Sequence, residues 1–154
     1  MLSDRAMSTR GTGKPVDELD TLCKQYKECV FCAKQEFGDE CIPERKKYKW
    51  QLSKGDVETK HESGTCLRSL FECDLMYATD LKRTNAIKSF NPDFHGFYTQ
   101  TGFTFEKECK KREGKAEPKC CGGKSKPYYL YNKLNPNKKC CSDGTVQKDC
   151  KNKS

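Results

Sequence analysis

The 154-residue sequence predicts a mainly α-helical, disulfide-rich fold that ends in a small irregular or β-structured segment. Two stretches place apolar residues at the intervals of an amphipathic helix. Apolar residues make up only 34% of the chain and charged residues another 34%, while twelve residues are cysteines. Because so few apolar residues can form only a thin core, we expect disulfide bridges to supply much of the stability.

The cysteines indicate an oxidising compartment. Their even number fits six bridges, each stabilising the fold by ~2–4 kcal/mol. Zinc is the rival interpretation, since Cys29-x-x-Cys32 has ligand-like spacing. No second CxxC follows, however, and His61 and His95 are not spaced as zinc ligands. We therefore expect disulfides, no metal site and no cofactor, in a secreted protein.

The amino-terminal residues lack a targeting signal. MLSDRAMSTR has no apolar stretch long enough for a signal peptide, and no later segment approaches a transmembrane span. We interpret residues 1–12 as a flexible lead-in and expect the sequence to be a mature or recombinant fragment.

The first predicted helix runs from about residue 13 to Phe37. Pro15 suits the first helical turn, Asp17 complements the positive end of the helix dipole, and Gly38 is a suitable stop. Apolar or half-apolar residues at steps of three and four define its expected buried face: Val16, Leu19, Cys23, Tyr26, Val30 and Ala33.

Residues 38–63 are polar and contain helix breakers. The alternation of Tyr48, Trp50 and Leu52 predicts a surface loop or a short hairpin. We interpret the basic cluster Arg45-Lys46-Lys47-x-Lys49 as a solvated surface.

The second predicted helix runs from about Gly64 to Arg83. Its expected buried face repeats at steps of four, three, four and four: Cys66, Leu70, Cys73, Tyr77 and Leu81. Asp74 lies beside that face. Residues 89–109 are rich in phenylalanine and predict aromatic strands, or an extended segment, packed over the helices.

The positive charge is concentrated near the carboxyl terminus. Residues 107–154 hold fourteen Lys or Arg and five Asp or Glu, whereas residues 1–106 hold sixteen and seventeen. Such a segment favours an anionic partner, namely acidic polysaccharide or acidic matrix protein, with an anionic membrane surface as a further candidate. No nucleic-acid motif accompanies it. The candidate binding residues are Lys110, Lys111, Arg112, Lys138 and Lys139.

The same segment contains two adjacent cysteine pairs, Cys120-Cys121 and Cys140-Cys141. The run CCGG…KPYY…CCSDGTV resembles the dicysteine repeats of galaxin-like extracellular matrix proteins. We therefore divide the chain into the lead-in 1–12, a helical domain 13–109 and a basic dicysteine segment 110–154, with these four cysteines as structural disulfide residues.

Both predicted helices resemble those of secreted phospholipase A2. The first carries Gly11-x-Gly13-x-Pro15-Val16-Asp17-x-Leu19-Asp20, followed by Cys23 and Cys29, and the second carries Cys66-x6-Cys73-Asp74. The resemblance covers residues 10–83. One cysteine of the family motif is Leu22 here, and the position of its partner is Asp80.

The resemblance implies two long antiparallel helices linked by disulfides. It pairs Cys29 with Cys73, and Cys66 with a cysteine of the intervening loop, most plausibly Cys41. Cys23 lacks its usual partner, which the family places in a glycine-rich calcium loop not found in MLSDRAMSTR.

The resemblance also identifies the former catalytic positions. Tyr26 stands where the family has a histidine base, and Lys27 stands where it has a calcium-binding aspartate. A phenol with a pKa of about 10 is a poor base at neutral pH, and an ammonium group cannot coordinate calcium. Asp74 is retained, and we expect it to accept a hydrogen bond from Tyr26 or to pair with Lys27.

These observations favour a secreted, non-catalytic phospholipase A2-like protein that binds anionic extracellular macromolecules. Two alternatives remain open. One is a divergent calcium-dependent phospholipase A2 that hydrolyses sn-2 esters. The other is a homologue that perturbs membranes without hydrolysis.

Overall fold

The computed structural model describes residue 15 and residues 17–89, 118–123, 126–132 and 137–150. Within these residues the elements are two helices, one 3-10 helix and six short strands. In chain order they are α1 (Glu18–Phe37), β1 (Gln51–Ser53), β2 (Asp56–Glu58), α2 (Cys66–Thr84), the 3-10 helix (Ala86–Ser89), β3 (Pro118–Gly123), β4 (Lys126–Asn132), β5 (Lys139–Cys140) and β6 (Val146–Gln147). This is a disulfide-rich helical fold with small antiparallel sheets.

Helix α1 begins later than the sequence predicts. Asp17 caps it, since its Oδ1 accepts a hydrogen bond from the N–H of Asp20 at 2.7 Å. Pro15 therefore precedes the helix, and its predicted first-turn position is wrong. The predicted stop is confirmed: Gly38 has a φ of +93°, and its N–H bonds to the carbonyl of Lys34 at 2.9 Å.

The buried face of α1 differs from the predicted one. Most members of the predicted face, including Leu19 and Val30, are only half-buried. Leu22, Cys29, Cys32 and Ala33 are the buried residues of this helix. In the carboxyl half of α1 the observed buried face differs from the predicted one because Cys29 and Cys32 are both held in disulfides.

The bounds of helix α2 follow the prediction closely, but only Leu70 and Cys73 of its predicted face are fully buried, while Cys66, Tyr77 and Leu81 are half-buried. The hydroxyl oxygen of Thr65 accepts a hydrogen bond from the N–H of Arg68 at 3.3 Å and so caps the first turn. Asn85, with a φ of +57°, follows its last residue. The buried residues are Ser69, Leu70, Phe71 and Cys73.

The predicted hairpin is present as the antiparallel pair β1–β2. Ser53 pairs with Asp56, so the connection has two residues, Lys54 and Gly55. Both have positive φ, +51° and +88°. This is the geometry of a type I′ turn, whose twist matches that of paired strands.

The chain divides into two compact units. The first contains the described residues up to Lys27 and those from Tyr77 to residue 89; the second contains 28–76 and the described residues from 118 onward. In the second unit, Ala33, Cys41 and Leu70 form a buried cluster. Partly buried side chains pack against that cluster: Val30, Phe37, Tyr48, Cys66 and Tyr128.

The carboxyl-terminal part of the second unit forms two antiparallel pairs, β3–β4 and β5–β6. Cys32 of α1 is bonded to Cys120 of β3, which links this part of the chain covalently to the helix. The lead-in 1–12, most of the aromatic segment 89–109 and the predicted boundary at residue 110 lie outside the described residues. Neither α1 nor α2 combines the length and apolarity needed to cross a membrane.

Candidate functional site

Tyr26 lies in an aromatic contact within the first unit. Its ring centroid is 5.2 Å from that of Tyr77, with the two planes inclined by 37°. The Sγ atom of Cys23, one turn earlier on α1, is 3.4 Å from the hydroxyl of Tyr77. Spacing of three residues places Cys23 and Tyr26 on one side of the helix, so both reach the same tyrosine of α2.

This contact alters the acidity of Tyr77. Burial, followed by the hydrogen bond and charge interaction with Cys23, raises the pKa of Tyr77 to about 12. The Tyr77 phenol therefore keeps its proton at neutral pH and supplies no phenolate base to the neighbouring Tyr26. Lys27, the next residue, is half-buried on α1.

Asp74 lies in the second unit, where its Oδ2 accepts a hydrogen bond from the hydroxyl of Tyr48. Burial, with the hydrogen bond and negative charge of Asp74, raises the pKa of Tyr48 above its ordinary value. The Tyr48 ring also meets Phe71 edge-on, with centroids 5.6 Å apart. A contact of Asp74 with Tyr26 or with Lys27 stays a prediction.

Polar contacts connect the base of the hairpin to α2. The Nε of Arg68 and Oε1 of Glu72 are 2.7 Å apart, with only 25% and 13% of the side chains exposed. Arg68 also lies 5.8 Å from the Phe71 ring centroid and donates to the carbonyl of His61 at 3.4 Å. His61 in turn accepts the N–H of Lys49 at its Nε2, at 3.0 Å. The contacts observed for His61 are structural.

Among the residues that the structure describes, ten cysteines form five bridges. They are Cys29–Cys73, Cys32–Cys120, Cys41–Cys66, Cys121–Cys140 and Cys141–Cys150. The first and third are the two pairings that the resemblance implied. Cys23 has a free thiol, and Cys109 lies outside the described residues.

The sequence predicted no partner for two bridge cysteines, Cys32 and Cys150. For Cys32 a signal was available, because it follows Cys29 by three residues and so lies on the same side of α1. No local pattern pointed to Tyr48 as a partner of Asp74, since the two residues are 26 positions apart.

Two of the candidate binding residues lie within the described part of the chain, and both are exposed. They are Lys138 and Lys139, and the Nζ of Lys139 is 3.5 Å from a carboxylate oxygen of Asp149. Lys110, Lys111 and Arg112 lie outside the described residues. Among the described residues, no group of three or more His, Cys, Asp or Glu is arranged to hold a metal ion.

Comparison with known proteins finds phospholipases A2 that are similar to part of this chain. A 68-residue segment is 34% identical to acidic phospholipase A2 PL-II of Walterinnesia aegyptia, 34% to acidic phospholipase A2 2 of Naja naja and 28% to basic phospholipase A2 1 of Naja sagittifera. The segment covers 44% of this chain and 48%, 56% and 52% of those proteins, respectively.

The chain thus spans about half the length of the curated relatives it matches. No family model matches it, and no solved structure gives a significant match. The three relatives, at about 30% identity over 44% of the chain, support a phospholipase A2-like family for this protein.

Proposed function

We propose that this protein is a secreted, non-catalytic phospholipase A2-like component of an extracellular matrix or secretion. On this proposal it binds anionic macromolecules through its basic, disulfide-linked carboxyl-terminal segment. The observation that carries the non-catalytic part is the packing of Tyr26 against Tyr77, with ring centroids 5.2 Å apart.

The substitutions at the former catalytic positions remove the required chemistry. By the resemblance, Tyr26 replaces a histidine that takes a proton from water. A phenol with a pKa of about 10 is a weak base at neutral pH, and Tyr26 is in contact with another phenol. Lys27 replaces a carboxylate calcium ligand with a cationic group that offers no oxygen.

The contacts of Asp74, the one retained residue of the former catalytic positions, support a structural role for it. Its carboxylate accepts the hydroxyl of Tyr48, which also packs against Phe71 and the buried cluster of the second unit. A carboxylate in such a contact holds a loop residue on helix α2. The retained aspartate therefore does not require a retained reaction.

The carboxyl-terminal segment offers a rigid cationic surface. Three of the five bridges join cysteines of this segment to one another or to α1. Four lysines of the segment are exposed: Lys119, Lys138, Lys139 and Lys148. Cross-linking reduces the conformational freedom of the backbone that carries these charges, which lowers the entropy lost when a polyanion binds.

Hydrolysis is tested with vesicles of phosphatidylcholine and phosphatidylglycerol in the presence of calcium. We expect no release of fatty acid above the protein-free blank, with an active secreted phospholipase A2 as positive control. Calcium-dependent release by the wild type that disappears in Tyr26→Phe would overturn the non-catalytic assignment.

Polyanion binding is tested on a heparin column eluted with salt. Replacing Lys138 and Lys139 by Gln should lower the salt concentration that elutes the protein, because binding to a polyanion is largely electrostatic. Replacing the exposed Lys82 and Lys88 by Gln removes the same charge elsewhere and serves as control. Equal elution of the two double variants, or no retention of the wild type, would contradict the proposal.

A further inference from the structure

One face of the β1–β2 hairpin is apolar and exposed to solvent. Leu52 is paired directly with Val57, so their side chains lie on the same side of the hairpin. Trp50 precedes Leu52 by two residues and lies on that side as well. Their exposed fractions are 60% for Trp50, 70% for Leu52 and 38% for Val57. We call these three residues the hairpin face.

The opposite side of the hairpin is polar. It carries Gln51 and Ser53 from β1 and Asp56 and Glu58 from β2. Alternation along both strands therefore separates the two carboxylates from the hairpin face. A solvated hairpin gains nothing from this segregation, whereas a hairpin that meets an apolar phase does.

Positive charges flank the hairpin face. The exposed lysines around it are Lys46, Lys47, Lys49, Lys54 and Lys60. Each such charge is attracted to the surface of an anionic bilayer. Tryptophan favours the headgroup level of a bilayer, where its ring is buried and its N–H stays hydrated.

Hydrogen bonds fix the base of the hairpin. The hydroxyl of Thr59 donates to the carbonyl of Lys49 at 2.6 Å, and His61 accepts the N–H of the same residue. The residue before Trp50 is thus held by both of its backbone polar groups. This arrangement limits the directions in which the Trp50 side chain can project.

We propose that the hairpin face docks the protein on the surface of an anionic lipid bilayer. Three side chains are far fewer than the roughly 20–30 residues per partner of a stable protein interface. Insertion of a few apolar side chains, reinforced by lysines, suffices for reversible binding to a bilayer surface. This surface is separate from the polyanion-binding segment proposed above, and its use requires no hydrolysis.

Trp50 is the only tryptophan in the chain, so its fluorescence reports directly on the hairpin face. Vesicles of phosphatidylcholine with phosphatidylserine should shift the emission to the blue and protect it from an aqueous quencher. Vesicles of phosphatidylcholine alone should produce a much smaller shift, because they lack the negative charge. A blue shift that instead appears on concentrating the protein without lipid would indicate self-association and overturn the proposal.

Vesicle sedimentation supplies the matched comparison. Leu52→Ser/Val57→Ser should lower the partition coefficient at least tenfold, because the variant replaces two of the three apolar side chains that enter the bilayer with polar ones. Gln51→Ala/Ser53→Ala, on the polar side of the same strand, should change it by less than about twofold. Both pairs are at least partly exposed, so circular dichroism should show both variants folded.

The outcomes separate the two proposals. If the wild type sediments with anionic vesicles but the Trp50 emission does not shift, or Leu52→Ser/Val57→Ser binds as well as the wild type, the hairpin inference is wrong. Replacing Lys138 and Lys139 by Gln should leave the blue shift in place. Loss of heparin retention alone in that variant leaves the hairpin inference standing.

Discussion

The hydroxyl of Tyr48 donates a hydrogen bond to Oδ2 of Asp74 across 26 positions of the chain. The ring of Tyr48 meets Phe71, three residues before Asp74, at an interplanar angle of 80°. One tyrosine therefore contacts helix α2 through both its apolar ring and its polar hydroxyl. This side chain therefore holds the segment before β1 against helix α2.

Removing that hydroxyl should destabilise the protein. Tyr48→Phe keeps the ring contact with Phe71 but leaves the carboxylate of Asp74 without this donor. We expect the free energy of unfolding to fall by about 1–3 kcal/mol, measured by urea denaturation. Asp74→Asn keeps an acceptor of the same shape and should cost less. Equal stability of Tyr48→Phe and the wild type would show that the bond contributes nothing.

Stability should decrease as the pH rises from about 10 to about 12. Folded Tyr77 keeps its proton up to about pH 12, whereas an ordinary tyrosine in the unfolded chain loses it near pH 10. In that window the unfolded state binds fewer protons, so the free energy of unfolding falls with pH, while below pH 10 the contribution is complete. Urea denaturation at several pH values measures the decrease.

Variants identify the source of this pH dependence. Tyr77→Phe should show a smaller decrease than the wild type, although Tyr48 and Tyr128 contribute in the same direction because their pKa values are also raised. Cys23→Ala should narrow the pH range over which stability decreases. Two of the three causes that raise the pKa of Tyr77 involve Cys23, so the variant lowers that pKa toward its ordinary value. A decrease of identical size in Tyr77→Phe would contradict this assignment.

The bridge Cys32–Cys120 should stabilise the protein more than Cys141–Cys150. The first closes a separation of 88 residues and the second only 9. By chain entropy their removal costs about 4–5 and about 2–3 kcal/mol, respectively. Paired replacements by Ala, compared by urea denaturation without reductant, test the order. Equal losses would show that strain or residual structure outweighs the entropy difference.

Gly122→Ala should destabilise the β3–β4 pair. A Cβ atom at this position would lie 2.5 Å from Cδ1 and 3.0 Å from the Cα of Tyr128. Because the Tyr128 ring packs against the buried cluster, and its Cα is backbone, neither atom can move freely. We expect a loss of about 1–3 kcal/mol in thermal or urea unfolding.

A double-mutant cycle tests the cause of that loss. In a Tyr128→Ala background the clash with the ring is gone, so Gly122→Ala should cost less there than in the wild type. An unchanged cost would attribute the loss to the backbone of β3 instead.

The sequence by itself determined the elements whose signals are local. Repeats of three and four residues located α1 and α2, Gly38 marked the end of α1, and the alternation around Leu52 located the hairpin. These features depend on side chains within a few positions of one another. The resemblance to phospholipase A2 helices added the pairings of Cys29 with Cys73 and of Cys41 with Cys66.

The tertiary structure alone decided which residues meet across long separations. It placed the Tyr48 hydroxyl on Asp74, bonded Cys32 to Cys120, and turned the buried face of α1 toward Cys29 and Cys32. No local pattern encodes such contacts, because they depend on the path of the chain between the partners. The start of α1 was also decided by the structure. The helix begins at Glu18 because the Asp17 side chain caps it, although Pro15 would suit a first turn.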